Sequence, residues 1–185
     1  AGVTLPASVK SIGNSAFASN SYLKTVNIQC NATMGESVFS NCDRLETVQL
    51  NDNMLEIPKN MFWYCEALQK IKLPKNLKKI ADGAFWGTGL TDIEIPESVT
   101  RIGEQAFAFA KLKKVVLPQN VEKISFEAFY YCNQLTKIYI PAKVTYIDLS
   151  AFENCSTLTD IYYSGTKEQW EKIKIEEEGN KALTR

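Results

Sequence analysis

Histidine is missing from all 185 residues, and the 21 basic side chains cancel the 21 acidic ones. Without an imidazole, the usual serine and cysteine nucleophile pairs and general acid–base chemistry near neutral pH lose their customary proton carrier. The carboxylates that could replace it are scattered along the chain, and the one acidic run, Glu176 to Glu178, reads as part of a solvated tail. No glycine-rich phosphate loop or dinucleotide fingerprint occurs. No CxxC pair is present to hold a metal. The expectation is a non-enzyme with no cofactor and no metal. Lys75, Lys78 and Lys79, with Lys111, Lys113 and Lys114, make local basic clusters, but acidic residues intervene and the sum is zero. A nucleic-acid partner needs a sustained positive field, so none is expected. No apolar run approaches the roughly 20 residues that span a bilayer, and no signal peptide is recognisable in the segment.

What is there is a repeat. Phe17, Phe39, Phe62, Phe85, Phe107, Phe129 and Phe152 recur every 22 or 23 residues, a period that marks a solenoid whose units cover one another's apolar faces. A small or aliphatic residue precedes each Phe (Ala16, Val38, Met61, Ala84, Ala106, Ala128, Ala151), and a leucine follows it by five or six positions, from Leu23 to Leu158. Beyond each Leu, aliphatics at plus three and plus five (Val26 and Ile28, Ile71 and Leu73, Ile138 and Ile140) predict a short strand with alternating faces. Pro74, Pro96, Pro118 and Pro141 stop that strand. A second apolar pair (Val9 and Ile12, Leu77 and Ile80, Val144 and Ile147) predicts a shorter extended segment. Gly13, Gly83 and Gly103 mark the bend into the Ala-Phe segment, read as a single helical or 3₁₀ turn.

The frame Leu-x-x-Ile-x-Ile-Pro-x-x-Val-x-x-Ile-Gly-x-x-Ala-Phe-x-x-Cys, best seen in LTDIEIPESVTRIGEQAF from Leu90 to Phe107, resembles the BspA-like class of leucine-rich repeats. The resemblance covers residues 4 to 163. It implies a right-handed, curved, β-rich leucine-rich-repeat solenoid of about seven repeats, with a parallel sheet on its concave side. Thr88 and Ala110 replace the repeat Cys in units shortened by one residue, and the proline-free stretch Gln29 to Met34 predicts an irregular second turn. Tyr162 to Trp170 resembles the family's terminal cap: Thr166 can cap a short helix with Gln169 at the capping-box position, and Trp170 and Ile173 share a face. The expected organisation is therefore a solenoid over 1–163 and a cap helix and tail over 164–185, forming a segment of a longer protein.

The cysteines suggest core positions. Cys42, Cys65, Cys132 and Cys155 fall three residues after the repeat Phe and read as an inward column of small side chains, while Cys30, off the column, is expected to be the most reactive thiol. Parallel side chains suit a disulfide torsion badly.

Two surfaces are left free to vary. The strand positions facing outward place Lys70, Asp92 and Lys114 as expected neighbours, and Lys72 beside Glu94, with Lys137, Tyr139 and Tyr162 further along the same face. The positions just after the repeat Phe carry Trp63, Tyr64, Trp86, Phe109, Tyr130 and Tyr131 in the middle units and no aromatics at either end. One of these two positions per unit can tuck against its neighbour, or the rings can form an exposed strip for a partner or a sugar. The resemblance implies an adhesion or protein-interaction module of a bacterial cell-surface or secreted protein, monomeric, that binds a host or neighbouring-cell protein through its concave face with the ridge contributing. Glycan binding on the ridge, or a spacer role, are the alternatives.

Overall fold

A computed structural model describes residues 1–184. The chain climbs in parallel coils, and the seven repeat phenylalanines become one column: successive rings lie 5.4 to 6.0 Å apart and nearly parallel. Phe39 to Phe152 are buried, while Phe17, on the first coil, is only half-buried. Burial of such a ring is worth about 1.5–3 kcal/mol and the offset stacking adds about 0.5–1.5 kcal/mol, which makes the column a principal stabilising element. Four of the cysteines stand beside it, each donating its S–H to the Phe carbonyl of the preceding coil: Cys42 to Phe17, Cys65 to Phe39, Cys132 to Phe107 and Cys155 to Phe129, at 3.1 to 3.2 Å. Burial pushes the Cys42, Cys65 and Cys132 thiols up and that of Cys155 to about 12, so these groups are inert, protonated core residues at neutral pH. Cys30 is also buried, at 1% exposure. The expectation that it is the reactive thiol fails because the irregular second turn folds it inward.

The strand predicted after each Leu forms after Leu23, Leu45, Leu112, Leu135 and Leu158 but not after Leu68 or Leu90. Gly2–Leu5, Thr25–Ile28 and Thr47–Gln49 make one parallel sheet, and Lys114–Val116, Lys137–Ile140 and Asp160–Tyr163 make another. The second apolar pair gives a narrower ladder in three pieces: Ser11–Ile12 with Thr33–Met34, then Glu56–Ile57, Lys79–Ile80 and Arg101–Ile102, then Lys123–Ile124, Tyr146–Ile147 and Lys174–Ile175. The irregular second turn leaves a gap between the first two pieces, a polar slot of about 740 Å³ beside Met34 and Leu55.

The Ala-Phe segment makes hydrogen bonds of the i to i+3 kind, such as Trp63 N–H to Asn60 and Cys65 N–H to Phe62, but it does not wind on as a helix. In every repeat the residues two before and two after the Phe take positive φ: Asn60 and Tyr64, Gly83 and Gly87, Gln105 and Phe109, Glu127 and Tyr131 among them. This alternation turns every second N–H along the stack. Phe62 donates to Ala84, Phe85 to Ala106 and Phe107 to Ala128, with their left-handed neighbours doing the same. A left-handed L-residue costs about 1–2 kcal/mol, and the rung-to-rung hydrogen bond it presents offsets that.

The last coil is closed by residues 164–184. Thr166 and Gln169 form the predicted capping box on the helix Lys167–Trp170, Trp170 meets Tyr163 edge-on at 5.3 Å, and Ile173 is buried. The acidic run is solvated at Glu177 and Glu178, whose side chains are exposed, but built in at Glu176. Glu178 accepts the Ser150 N–H through its carbonyl, and Glu176 joins a network around Tyr146. Lys123 and Lys174 lie 5.0 Å from the Tyr146 ring on either side, its hydroxyl donates to Glu176 (2.9 Å) and Asp148 (3.2 Å), and the two lysines pair with Asp148 and Glu176 at 2.7 Å.

This latch makes stability depend on pH at both ends. The Tyr146 proton, held by its bond to Glu176 and by partial burial, has its pKa raised to about 12. Lys174 and the Tyr146 hydroxyl hold Glu176 below its ordinary range. At Asp148 burial pushes upward, but the Lys123 ammonium and the Leu149 amide outweigh it and the group is lowered. The carboxylate contribution is full above the ordinary range near about 4 and disappears as pH falls through the depressed values; the tyrosine contribution is full below about 10 and disappears as pH rises towards the shifted value. Thermal melts from acid to alkali should show both arms, and Tyr146→Phe should flatten the alkaline one.

Candidate functional site

The aromatic ridge follows from the repeat geometry. The residue directly after each Phe packs partly against the next coil, and Trp63, Trp86 and Tyr130 are half-buried there. The residue after that holds the left-handed corner and points outward: Tyr64, Phe109 and Tyr131 are 40 to 42% exposed. Both sequence alternatives are thus realised, one at each position. The rings join across four coils: Trp63 stacks on Trp86 at 4.8 Å, Tyr64 on Trp86 at 5.5 Å, Trp86 meets Phe109 at 4.8 Å, and Phe109 stacks on Tyr131 at 5.1 Å and meets Tyr130 edge-on at 5.4 Å. Gly87 holds the corner where an aromatic would break this continuity, since a Cβ there would lie 3.3 Å from the Tyr64 ring.

Those corners carry a signal in themselves. At the equivalent position the end units have Ser19, Asn41 and Asn154, small polar residues that tolerate positive φ. Tyr64, Phe109 and Tyr131 are bulky residues in the same conformation, held there by contacts with neighbouring ridge rings. Backbone outliers of this kind concentrate at functional sites. A column of Ser, Asn and Gly interrupted by aromatics in its centre was readable in the sequence once the corner was known.

The strand face divides in two. On its C-terminal half, Tyr139 and Tyr162 stack at 4.5 Å, Lys114 Nζ lies 5.1 Å from the Tyr139 ring, Val116 pairs with Tyr139 and is exposed, and Lys137 bonds Asp160 at 3.2 Å. That hydrogen bond, with the Asp160 charge, raises the Lys137 pKa. On the other half the expected in-register neighbours do not form. Lys70 to Leu73 and Asp92 to Ile95 are not strands, and among the described residues Lys70, Lys72, Asp92 and Glu94 make no ion pair. The two segments stay joined at their ends, the Thr91 N–H donating to Gln69 O at 3.3 Å and the Ser98 hydroxyl reaching Lys75 O and Leu77 O at 2.7 Å. Gly89 is pressed so close to the Glu66 carbonyl that a Cβ would lie 2.2 Å from it. The Asp92 carboxylate then takes the Ile93 N–H at 3.0 Å.

Comparison with known proteins places this architecture. The profile of the BspA type leucine rich repeat region matches in six copies, over residues 1–112 and 78–176. No curated protein matches the sequence. Among solved structures, a leucine-rich-repeat protein of T. pallidum (TpLRR) is 27% identical with a TM-score of 0.77, over 85% of this chain and 77% of that one. A leucine-rich-repeat protein from Bacteroides ovatus is 25% identical with a TM-score of 0.64, and the chain spans 54% of its length while 86% of this chain is covered. The pneumococcal vaccine antigen PcpA, 18% identical with a TM-score of 0.61 over 87% of this chain and 50% of that one, shares the fold.

Proposed function

Because the chain belongs to the BspA-type leucine-rich-repeat family, we propose that it is a non-enzymatic adhesion module of a bacterial cell-surface protein that holds a protein partner along the aromatic ridge. The supporting observation is the continuous run of ring contacts from Trp63 to Tyr131, whose three exposed rings, Tyr64, Phe109 and Tyr131, occupy backbone corners that disfavour them. Aromatic side chains give large contact area at little conformational cost and dominate interface energetics. A rigid solenoid presents them already ordered, which lowers the entropy lost on binding. The cell-surface setting follows from the family resemblance, and the non-enzymatic reading rests on a composition without histidine.

The corner chemistry supplies a clean test. Replacing Tyr64, Phe109 and Tyr131 together by Asn, the residue that Asn41 and Asn154 already place there, relieves three bulky left-handed corners but removes the Tyr64–Trp86 and Phe109–Tyr131 stacks, so the melting temperature should fall by less than about 10 °C. Binding to cells should fall by at least about tenfold, since interface aromatics are commonly worth more than about 1 kcal/mol each. For a protein partner, protease treatment of the cells abolishes wild-type binding and glycosidase treatment does not. Signal on a glycan array that the triple variant loses would assign the ridge to sugars. Absence of binding to any treated or untreated cell would leave a spacer.

A further inference from the structure

The ridge rings do not stand on neutral ground. Four side-chain columns run along this side of the stack, at three and two positions before each repeat Phe and one and two after it. Their charged members are Glu36, Asp82, Glu104, Glu127 and Glu153 against a single lysine, Lys59, although acids and bases cancel over the whole chain. Beyond the corner, Asp43 and Glu66 are matched by Arg44 and Lys111, and Glu178 and Lys181, which share a pocket with Glu153, cancel as well. Asp82, Glu104, Glu127 and Glu153 thus put one carboxyl group on each of four successive coils, and among the described residues none of them makes an ion pair.

These acids lie against the rings. A Cβ on Gly83, in the same column as Glu127, would come 3.8 Å from the Trp63 ring. The Tyr130 N–H donates to the Glu127 carbonyl at 3.0 Å, and the Tyr131 N–H to that of Glu153 at 2.8 Å. Asp82 and Glu104 stand one position further out, the Asp82 carboxylate accepting the Glu104 N–H at 3.0 Å. At Tyr131 the run of rings stops: Phe109 stacks on it from one side, while the next coil offers Glu153 and Asn154 where a ring would continue the run.

We propose that the partner segment held by the ridge is basic and that arginine is its contact residue. This rests on the ridge reading above and adds the chemistry of the partner. An unneutralised row of carboxylates beside exposed rings attracts cations and repels acidic surfaces. Arginine fits better than lysine, because its planar guanidinium lies flat on an aromatic face while its edge pairs with a carboxylate in bidentate fashion. Tyr131, with Glu127 on its own coil and Glu153 on the next, is the place where such a group is best received.

The test uses the 185-residue chain and fluorescein-labelled glycine-serine peptides of about ten residues that carry three arginines, three lysines or three glutamates. In anisotropy titrations at physiological ionic strength the arginine peptide should bind, the lysine peptide should bind at least about threefold more weakly, and the glutamate peptide should not bind. Replacing the four acids together, by Asp82→Asn, Glu104→Gln, Glu127→Gln and Glu153→Gln, should weaken the arginine peptide at least about tenfold. The fold tolerates these amides, so the melting temperature should hold: Asn14 stands at the position of Asp82 in its own coil and accepts the Glu36 N–H in the same way at 2.9 Å, and an amide oxygen at position 127 still accepts from Gln105. The proposal is overturned if the arginine peptide fails to bind at millimolar concentration, if the lysine peptide binds as tightly, or if the amide variant binds like the wild type. Cell binding separates this proposal from the ridge reading. Loss in both the amide variant and the Tyr64, Phe109 and Tyr131 replacement supports the two together; loss only with the rings keeps the ridge and overturns arginine recognition; retention with the rings replaced overturns both.

Discussion

Phe85→Ala should lower stability by about 3–5 kcal/mol, roughly 10 °C in melting temperature, while Phe17→Ala should cost less than half as much. Phe85 is fully buried and touches rings on both sides, Phe62 at 5.6 Å and Phe107 at 5.5 Å. Phe17 has one ring neighbour, Phe39 at 5.4 Å, and is half-buried. Removing the central ring leaves a cavity that the stacked backbones cannot close, since each is tied to the next by hydrogen bonds on either flank of the Phe. In a solenoid, stability is close to a sum of units and nearest-neighbour interfaces, so a central defect weakens two interfaces and an end defect only one. Differential scanning calorimetry should show the Phe85→Ala transition broadened as the halves uncouple. Equal losses for the two variants would mean that the column is not the cooperative spine of the fold.

Asn180→Ala is the second large effect, expected at about 3 kcal/mol. Asn180 is fully buried, and its amide makes three hydrogen bonds: Oδ1 accepts from Phe152 N at 3.1 Å, and Nδ2 donates to Asp148 O at 2.8 Å and Glu176 O at 2.7 Å. It replaces, with one side chain, the rung that Phe152 would otherwise bond. Alanine would strand the Phe152 amide and the Glu176 carbonyl, each worth about 1–3 kcal/mol when left buried and unpaired, while Asp148 O keeps the Ala151 N–H. Asn180→Asp keeps the acceptor but loses both donations and buries a charge, so it should be no better. Hydrogen exchange at Phe152 and Ser150 is the direct measurement. Accelerated exchange there, with the central coils still protected, is the expected pattern, and unchanged exchange would make the closing segment a passenger.

The two results differ in how visible they were beforehand. The Phe column, the inward cysteines and the Thr166 capping box were legible because each follows from a fixed period or a fixed local spacing. Asn180 was not. It lies in a non-repeating segment, and only its position beneath the last coil gives it a role. Cys30 and Glu176 were misread for the same reason, being outside the repeat. The paired strand charges were misjudged differently. Lys70, Lys72, Asp92 and Glu94 sit where the period places them, but their segments form no strand ladder, and the Asp92 carboxylate takes the Ile93 N–H.

By itself, then, the order of residues determined which side chains stack, which face inward and that the chain ascends in parallel coils, because burial of a periodic apolar pattern has one low-energy register. Only the tertiary structure decided which rings reach solvent, where the strand ladder is interrupted and what closes the end. Those outcomes depend on left-handed corners, link lengths and unpaired backbone groups, which are settled between coils and not within any one of them.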